Sequence, residues 1–205
     1  QSIDSKIGKG PWIVRSSSSE EDTATASHAG KFLSIQNVNK VNLIESITNV
    51  IFSYRDPKNS DEVLIQPMLS NVKMSGVVFS HDPNTCAPYR VVNWSSGPET
   101  DRVTSGASSS VWFHAANSPY KVPVKLRIVI KLVEELLKIF QNLPIDIEFA
   151  VTTEKINKKS IRVLWLLQVR PLILSEQPEK NEEQEVRLKA ISEKIKTGAR
   201  KQPFL

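Results

Sequence analysis

The chain has 205 residues, of which 40% are hydrophobic and 24% charged, and its net charge is +5. That length and composition suit one sizeable globular domain, or two small lobes sharing a cleft, with no fixed-period repeat. No apolar run reaches the roughly 18 to 20 residues of a membrane span, and no Lys/Arg stripe interleaved with aromatics gives the footprint of a nucleic-acid binder.

The opening, Gln1 to Lys6, has neither a signal-peptide core nor an initiator Met, so a piece of a longer protein is expected. Trp12, Ile13 and Val14 read as a buried strand that delivers Arg15 into the cluster Ser16, Ser17, Ser18 and Ser19. A second strand is predicted over 31–35 and an amphipathic helix over 39–54. The apolar face of that helix would be Leu43, Ile44, Ile47, Val50, Ile51 and Tyr54. A turn-rich break covers 55–61, and strands follow at 63–68, 75–80, 89–94 and 111–114. Pro67 and Gly76 point to an edge or a close backbone approach. A polar loop of the kind that carries function fills 95–106.

The longest apolar-periodic helix spans 122–141 and ends before Pro144. A strand at 145–151, a charged loop at 154–159 and a return strand at 161–169 make a hairpin that Pro171 stops. From Gln177 a linker leads to a solvated helix, about 182–196, with acidic residues at its start and basic ones at its end. The single cysteine, Cys86, excludes an internal disulfide and fits a reducing, cytoplasmic compartment.

Two features could carry chemistry. A guanidinium among hydroxyls, as at Arg15, can hold phosphate, and it can equally be a strand end followed by a surface turn. In the hairpin, period-2 alternation puts Asp146 and Glu148 on one face, and Gln168 and Arg170 share a face of the return strand. Oxygen ligands of the Glu/Gln kind suit a hard divalent cation on nucleotide phosphates. The alternative is a polar hairpin face that simply meets solvent, although a carboxylate among bulky apolar neighbours must be paired or bind a cation.

Four segments, in order from 12 to 171, carry a resemblance. Val14-Arg15-Ser16-Ser17 with Glu21-Asp22, Ala26-Ser27 and Ala29-Gly30 resembles the "VRSSATAED…ASFAG" signature of the phosphoenolpyruvate synthase and pyruvate phosphate dikinase group. Ile65-Gln66-Pro67-Met68 resembles its "VQxM" strand, and Ser75-Gly76-Val77-Val78-Phe79-Ser80 with Asp82-Pro83 its "SGVxFTxDP". Ile147-Glu148 and Leu167-Gln168-Val169-Arg170-Pro171 resemble its "DIEWA…LQARP" ending.

The resemblance implies an α+β, ATP-grasp fold of antiparallel sheets flanked by helices, incomplete at its N-terminus. It would occupy 1–175, with 176–205 as a linker and solvated helix leading toward a downstream domain. It implies ATP and Mg2+ as ligands. Arg15 and Arg170 would hold phosphates in the catalytic step, Gly30 and Ser34 would cover them, Gln66 and Met68 would line the adenine pocket, and Glu148 and Gln168 would hold the magnesium. The implied enzyme is a multidomain phosphotransferase that phosphorylates a histidine on a separate domain, which passes phosphate to an acceptor; the isolated chain is expected to be inactive. Neither nucleic acid nor membrane is an expected partner. Alternatives are a non-catalytic nucleotide- or partner-binding domain and the ATP domain of a glutamine-kinase-like relative.

The sequence also departs from that group. Lys6 and Lys9 form no recognisable version of its glycine–lysine segment, and Gly97-Pro98-Glu99-Thr100-Asp101 replaces its "GLGE" loop, leaving Glu99 or Asp101 for the acidic role. The segment between Glu148 and Gln168 is longer. None of His28, His81 and His114 matches the phosphate-relaying motif; His28 is expected to pack and His81 to sit in a turn.

Overall fold

The computed structural model describes residues 8, 10–18, 22–23, 26–27, 33–54, 58, 60–97, 110–116, 118–178 and 181–198. Strand β1 (Trp12–Ser17) alternates as its sequence predicts, with Trp12, Val14 and Ser16 buried and Ile13 and Arg15 half-buried. It is the centre of an antiparallel three-stranded sheet, between β4 (Ser34–Val38) and β5 (Glu62–Pro67). Pro67 ends β5, an edge strand, where its missing N–H costs no ladder bond. Two short strands, β2 (Asp22–Thr23) and β3 (Ala26–Ser27), pair with each other.

Helix α1 (Leu43–Ser53) covers one face of this sheet, and Trp12, Val14, Val38, Leu43 and Val50 form the core between them. The helix is shorter than predicted because the Asn39 carboxamide oxygen accepts the N–H groups of Val41 and Asn42 at 2.9 and 3.3 Å, holding those residues in a turn. Its buried stripe is also narrower. Ile44 and Ile51 are 70% and 48% exposed, because three strands cover only the line through Leu43, Ser46 and Val50. Tyr54 acts through its polar tip, donating to the Glu62 carbonyl at 2.6 Å and accepting from the Ser17 N–H at 3.0 Å.

The second sheet has five antiparallel strands in the order β10-β9-β6-β7-β8. They are β6 (Val72–Phe79), β7 (Tyr89–Ser96), β8 (Ser110–Ala115), β9 (Ile145–Ile156) and β10 (Lys159–Pro171). Gly76 lies in β6, inside the sheet, and it is the close approach rather than an edge that demands glycine. A Cβ there would meet the Asn93 carbonyl oxygen and would stand 2.8 Å from the Trp94 Cα. Helix α2 (Arg127–Ile139) lies on the apolar face of this sheet. Val129, Ile130, Val133, Leu136 and Leu137 pack there with Val78, Val92, Trp94, Ile147 and Phe149. It starts after the predicted position because Leu126 N–H bonds back to the Pro123 carbonyl in a tight turn, at 2.9 Å.

The β9–β10 hairpin needs no six-residue loop. Asn157 and Lys158, at φ 50° and 63°, make a two-residue turn with both centres left-handed, and the charged residues around them continue the strands. Helix α3 (Asn181–Gly198) opens on Glu182 and Glu183 and closes on Lys196. Only Gln184 is buried among its described side chains, so it forms the solvated helix expected. Among the described residues no helix is long and apolar enough to cross a membrane.

Candidate functional site

Cross-strand register decides which side chains share a face. On β1 and β5, Ile13 faces Gln66 and Arg15 faces Leu64, while Arg15 faces Ser34 on β4. Since Trp12 and Val14 point into the core against α1, Arg15, Ser34 and Gln66 share the opposite face of the small sheet. In the large sheet the odd-numbered residues Ile145, Ile147, Phe149 and Val151 pack against α2. Asp146, Glu148, Ala150 and Thr152 therefore take the other face. Across the hairpin Gln168 pairs with Glu148, and Arg170 with Asp146. A register shift between Leu166 and Gln168 keeps both pairs in step despite the long hairpin.

The two polar faces meet at one contact. Arg15 Nη2 donates to Gln168 Oε1 at 3.0 Å, joining residues 153 apart in the chain. Glu148 stands beside Gln168 and is half-buried, so the carboxylate and the carboxamide expected to hold a cation do face each other. Arg170 is committed differently from expectation. Its Nε and Nη2 form a fork on Asp146 at 3.0 and 2.9 Å, with the two side chains 13% and 11% exposed. A phosphate at Arg170 would share the guanidinium with that carboxylate. Gly30, His28, Glu99 and Asp101 lie outside the described residues.

Residues 68–71 link β5 of the small sheet to β6 of the large one, and a cleft of about 800 Å³ opens against them. Met68, Leu69, Lys73, Thr152, Glu154 and Trp165 are among its lining residues, and Gln66 is not. Met68 is held by its own N–H, which donates to the Pro11 carbonyl at 2.9 Å, and by its sulfur, which accepts from Asn37 N–H at 3.0 Å. Trp165 is fixed by Nε1–H donating to Thr152 Oγ1 at 2.9 Å. From Trp165 to Gln168 on β10 is three residues, and from Leu64, opposite Arg15, to Pro67 on β5 is also three. Both walls thus separate the cleft from the Arg15–Gln168 contact by roughly 10 Å.

No cluster of three or more His, Cys, Asp or Glu side chains suited to a metal occurs among the described residues. A cation at Glu148 and Gln168 would have two protein oxygens and complete its shell with phosphate oxygens and water. That donor set fits Mg2+, which keeps several waters.

Neither described histidine faces the Arg15–Gln168 contact. His81 does sit at a turn, but its ring is buried. The Ser80 hydroxyl accepts the Ile145 N–H at 2.8 Å and also hydrogen-bonds His81 Nδ1 at 3.0 Å. Burial, and secondarily the Arg90 guanidinium, push the imidazole pKa down to about 4. His114 stacks on Trp112, ring centroids 4.9 Å apart.

Sequence reasoning placed Asp146 on the correct face without giving it a partner, although the strand parity of Asp146 and Arg170 carried that signal. It missed Trp165 and Lys73, because nothing local marks a cleft wall built from two distant strands. Compared with known proteins, the family model described as "Pyruvate phosphate dikinase, AMP/ATP-binding domain" matches residues 1–110, which run through β7. The β9–β10 hairpin lies beyond the matched stretch. No curated protein matches the chain.

Proposed function

Because the chain belongs to the family of the pyruvate phosphate dikinase AMP/ATP-binding domain, we propose that it binds ATP between its two sheets in an ATP-grasp arrangement. The observation that carries this reading is the Arg15–Gln168 contact between two facing polar sheet surfaces, with a cleft at the linker that joins them. The base occupies the cleft against residues 68–71, where apolar Met68 and Leu69 and the aromatic Trp165 give it a slot. The phosphates extend along the shared face toward Arg15, whose planar fork matches phosphate oxygens. Ser34 and Gln66 flank Arg15 on that face, and Gly30 precedes Ser34 in sequence. Arg170, already ordered by Asp146, lines the far end.

Glu148 and Gln168 would hold Mg2+, which supplies charge neutralisation at the phosphates when bound. The chain's own contribution is position and charge, and phosphoryl transfer asks little more of a protein. The activity belongs to a phosphotransferase in which phosphate passes from ATP to a histidine on a separate domain and then to an acceptor.

Thermal unfolding with and without Mg-ATP tests the binding step. A saturating nucleotide raises the melting temperature by mass action, and Arg15→Ala or Glu148→Ala removes the rise. If neither ATP nor ADP shifts the transition with magnesium present, the reading is wrong.

A further inference from the structure

A strand at the rim of a sheet leaves a row of N–H and C=O groups unpaired, and folded chains guard such rims with charges, prolines, bulges or kinks. Three of the four rims of the two larger sheets are guarded in this way. Strand β5 carries Glu62 and ends on Pro67. Strand β4 is left-handed at Asn37, φ 56°, and its register with β1 shifts. Strand β10 carries Lys159, Arg162 and Arg170 and has the register shift next to Gln168.

The fourth rim, β8, has none of these devices. Ser110-Val111-Trp112-Phe113-His114-Ala115 holds no Lys, Arg, Asp, Glu or Pro, and its register with β7 runs unbroken from Ser110 to Ala115. It lies in the longest stretch of the chain without Lys, Arg, Asp or Glu, from Val103 to Tyr120.

The ladder decides which groups face outward. The Ala116 N–H donates to the Pro88 carbonyl at 2.9 Å, so even-numbered residues of β8 bond to β7. Val111, Phe113 and Ala115 therefore turn their N–H and C=O groups to the rim, and among the described residues no strand pairs with them. Trp112 packs toward α2, which puts Val111 and Phe113 on the opposite face, 52% and 56% exposed.

We propose that β8 pairs antiparallel with β8 of a second copy of this chain, about a two-fold axis at Phe113. In that register Phe113 meets its own counterpart, Val111 meets Ala115 and Trp112 meets His114. Each outward N–H then finds a carbonyl, and these cross-strand pairs are apolar or aromatic. The net charge of +5 opposes contact between copies elsewhere, whereas here two copies touch without like charges meeting. The pairing uses up the unguarded rim of each copy, so assembly closes at a dimer. In the strand order β8 is farthest from β10, so the Arg15–Gln168 contact stays open, and the pairing needs no nucleotide. Six residues of ladder make a small interface, so the association is weak and depends on concentration.

Sedimentation equilibrium of the chain from about 1 µM to about 1 mM measures the dimer, and amide exchange at both ends of that range locates it. The mass is expected to rise from 23.0 kDa toward twice that value. The N–H groups of Val111, Phe113 and Ala115 should gain protection with concentration, while those of Trp112 and His114, bonded to β7, are protected throughout. Phe113→Lys sets like charges opposite each other and should weaken association by at least about tenfold. Phe113 is exposed, so that variant keeps its core, and the exchange measurement needs no variant. A chain that stays monomeric at the highest concentration overturns the pairing, as does growth beyond a dimer. So does a dimer in which exchange at Val111, Phe113 and Ala115 is unchanged, or one that Phe113→Lys leaves intact.

Discussion

The two sheets meet at the Arg15–Gln168 contact but are held together very differently. The small sheet rests on Trp12, Val14, Val38, Leu43 and Val50 under a single helix. The large sheet buries Phe149, Ile147, Val78, Val92 and Trp94 beneath the long stripe of α2. Stabilisation follows the apolar area removed from water, so the large sheet is the platform and the small one the weaker attachment. Binding elements come from the less stable part of a fold, and in the proposed reading Arg15 sits on that part. The pairing of a rigid wall with a looser one suits a ligand that must enter between them.

The largest expected effects contrast the two cores. Phe149→Ala should cost about 3–5 kcal/mol and lower the urea midpoint of the whole chain. Trp12→Ala removes as large a side chain, but amide exchange should show protection lost on β1, β4 and β5 and kept on β6 and β9. Equal loss of protection in both sheets would make them one cooperative unit and dissolve the comparison.

Next comes the ion pair on the face of the large sheet. Asp146→Ala leaves the Arg170 guanidinium without its carboxylate, and breaking such a pair costs about 3 kcal/mol or more where it is buried. Chemical denaturation measures it, and the cost should exceed any change in nucleotide affinity.

A pH titration of stability should register His81. Its pKa in the folded chain is lowered to about 4 from 6.5, so between those values the unfolded state binds the proton and the native state does not. Stability from this group is complete above pH 6.5 and is lost as the pH falls toward 4. Replacing His81 by Gln should flatten that segment of the curve.

The smallest effect is at the hairpin turn. Lys158 holds φ 63°, a region where a Cβ is strained. Lys158→Gly should therefore stabilise the large sheet, by about 1 kcal/mol or less, read as a raised melting temperature. A loss of stability would mean that the Lys158 side chain contributes more than its backbone costs.

The order and type of the elements were legible because apolar alternation and helical periodicity are local. Arg15, Glu148, Gln168 and Arg170 could be named from the first and last of the four motif segments. Asp146 was placed on a face with no task; its parity with Arg170 was a signal, and the cross-strand register made it a pair. Of the cleft, Met68 was legible from a motif, while Lys73, Thr152 and Trp165 were not, being brought together by register between strands far apart in the chain.

The pairing into antiparallel sheets and the phosphate- and cation-binding roles were only what the family resemblance implied; the sequence by itself determined the strands and helices and the apolar face of each. Periodicity of two and of 3.6 dictates that much wherever a chain must bury one face and wet the other. Only the tertiary structure decided that the polar faces meet, that Arg15 reaches Gln168 across 153 residues, and that Arg170 is held by Asp146. Those outcomes depend on how two sheets close on each other about residues 68–71. Closure is a balance of long-range burial against chain entropy, which no local pattern encodes.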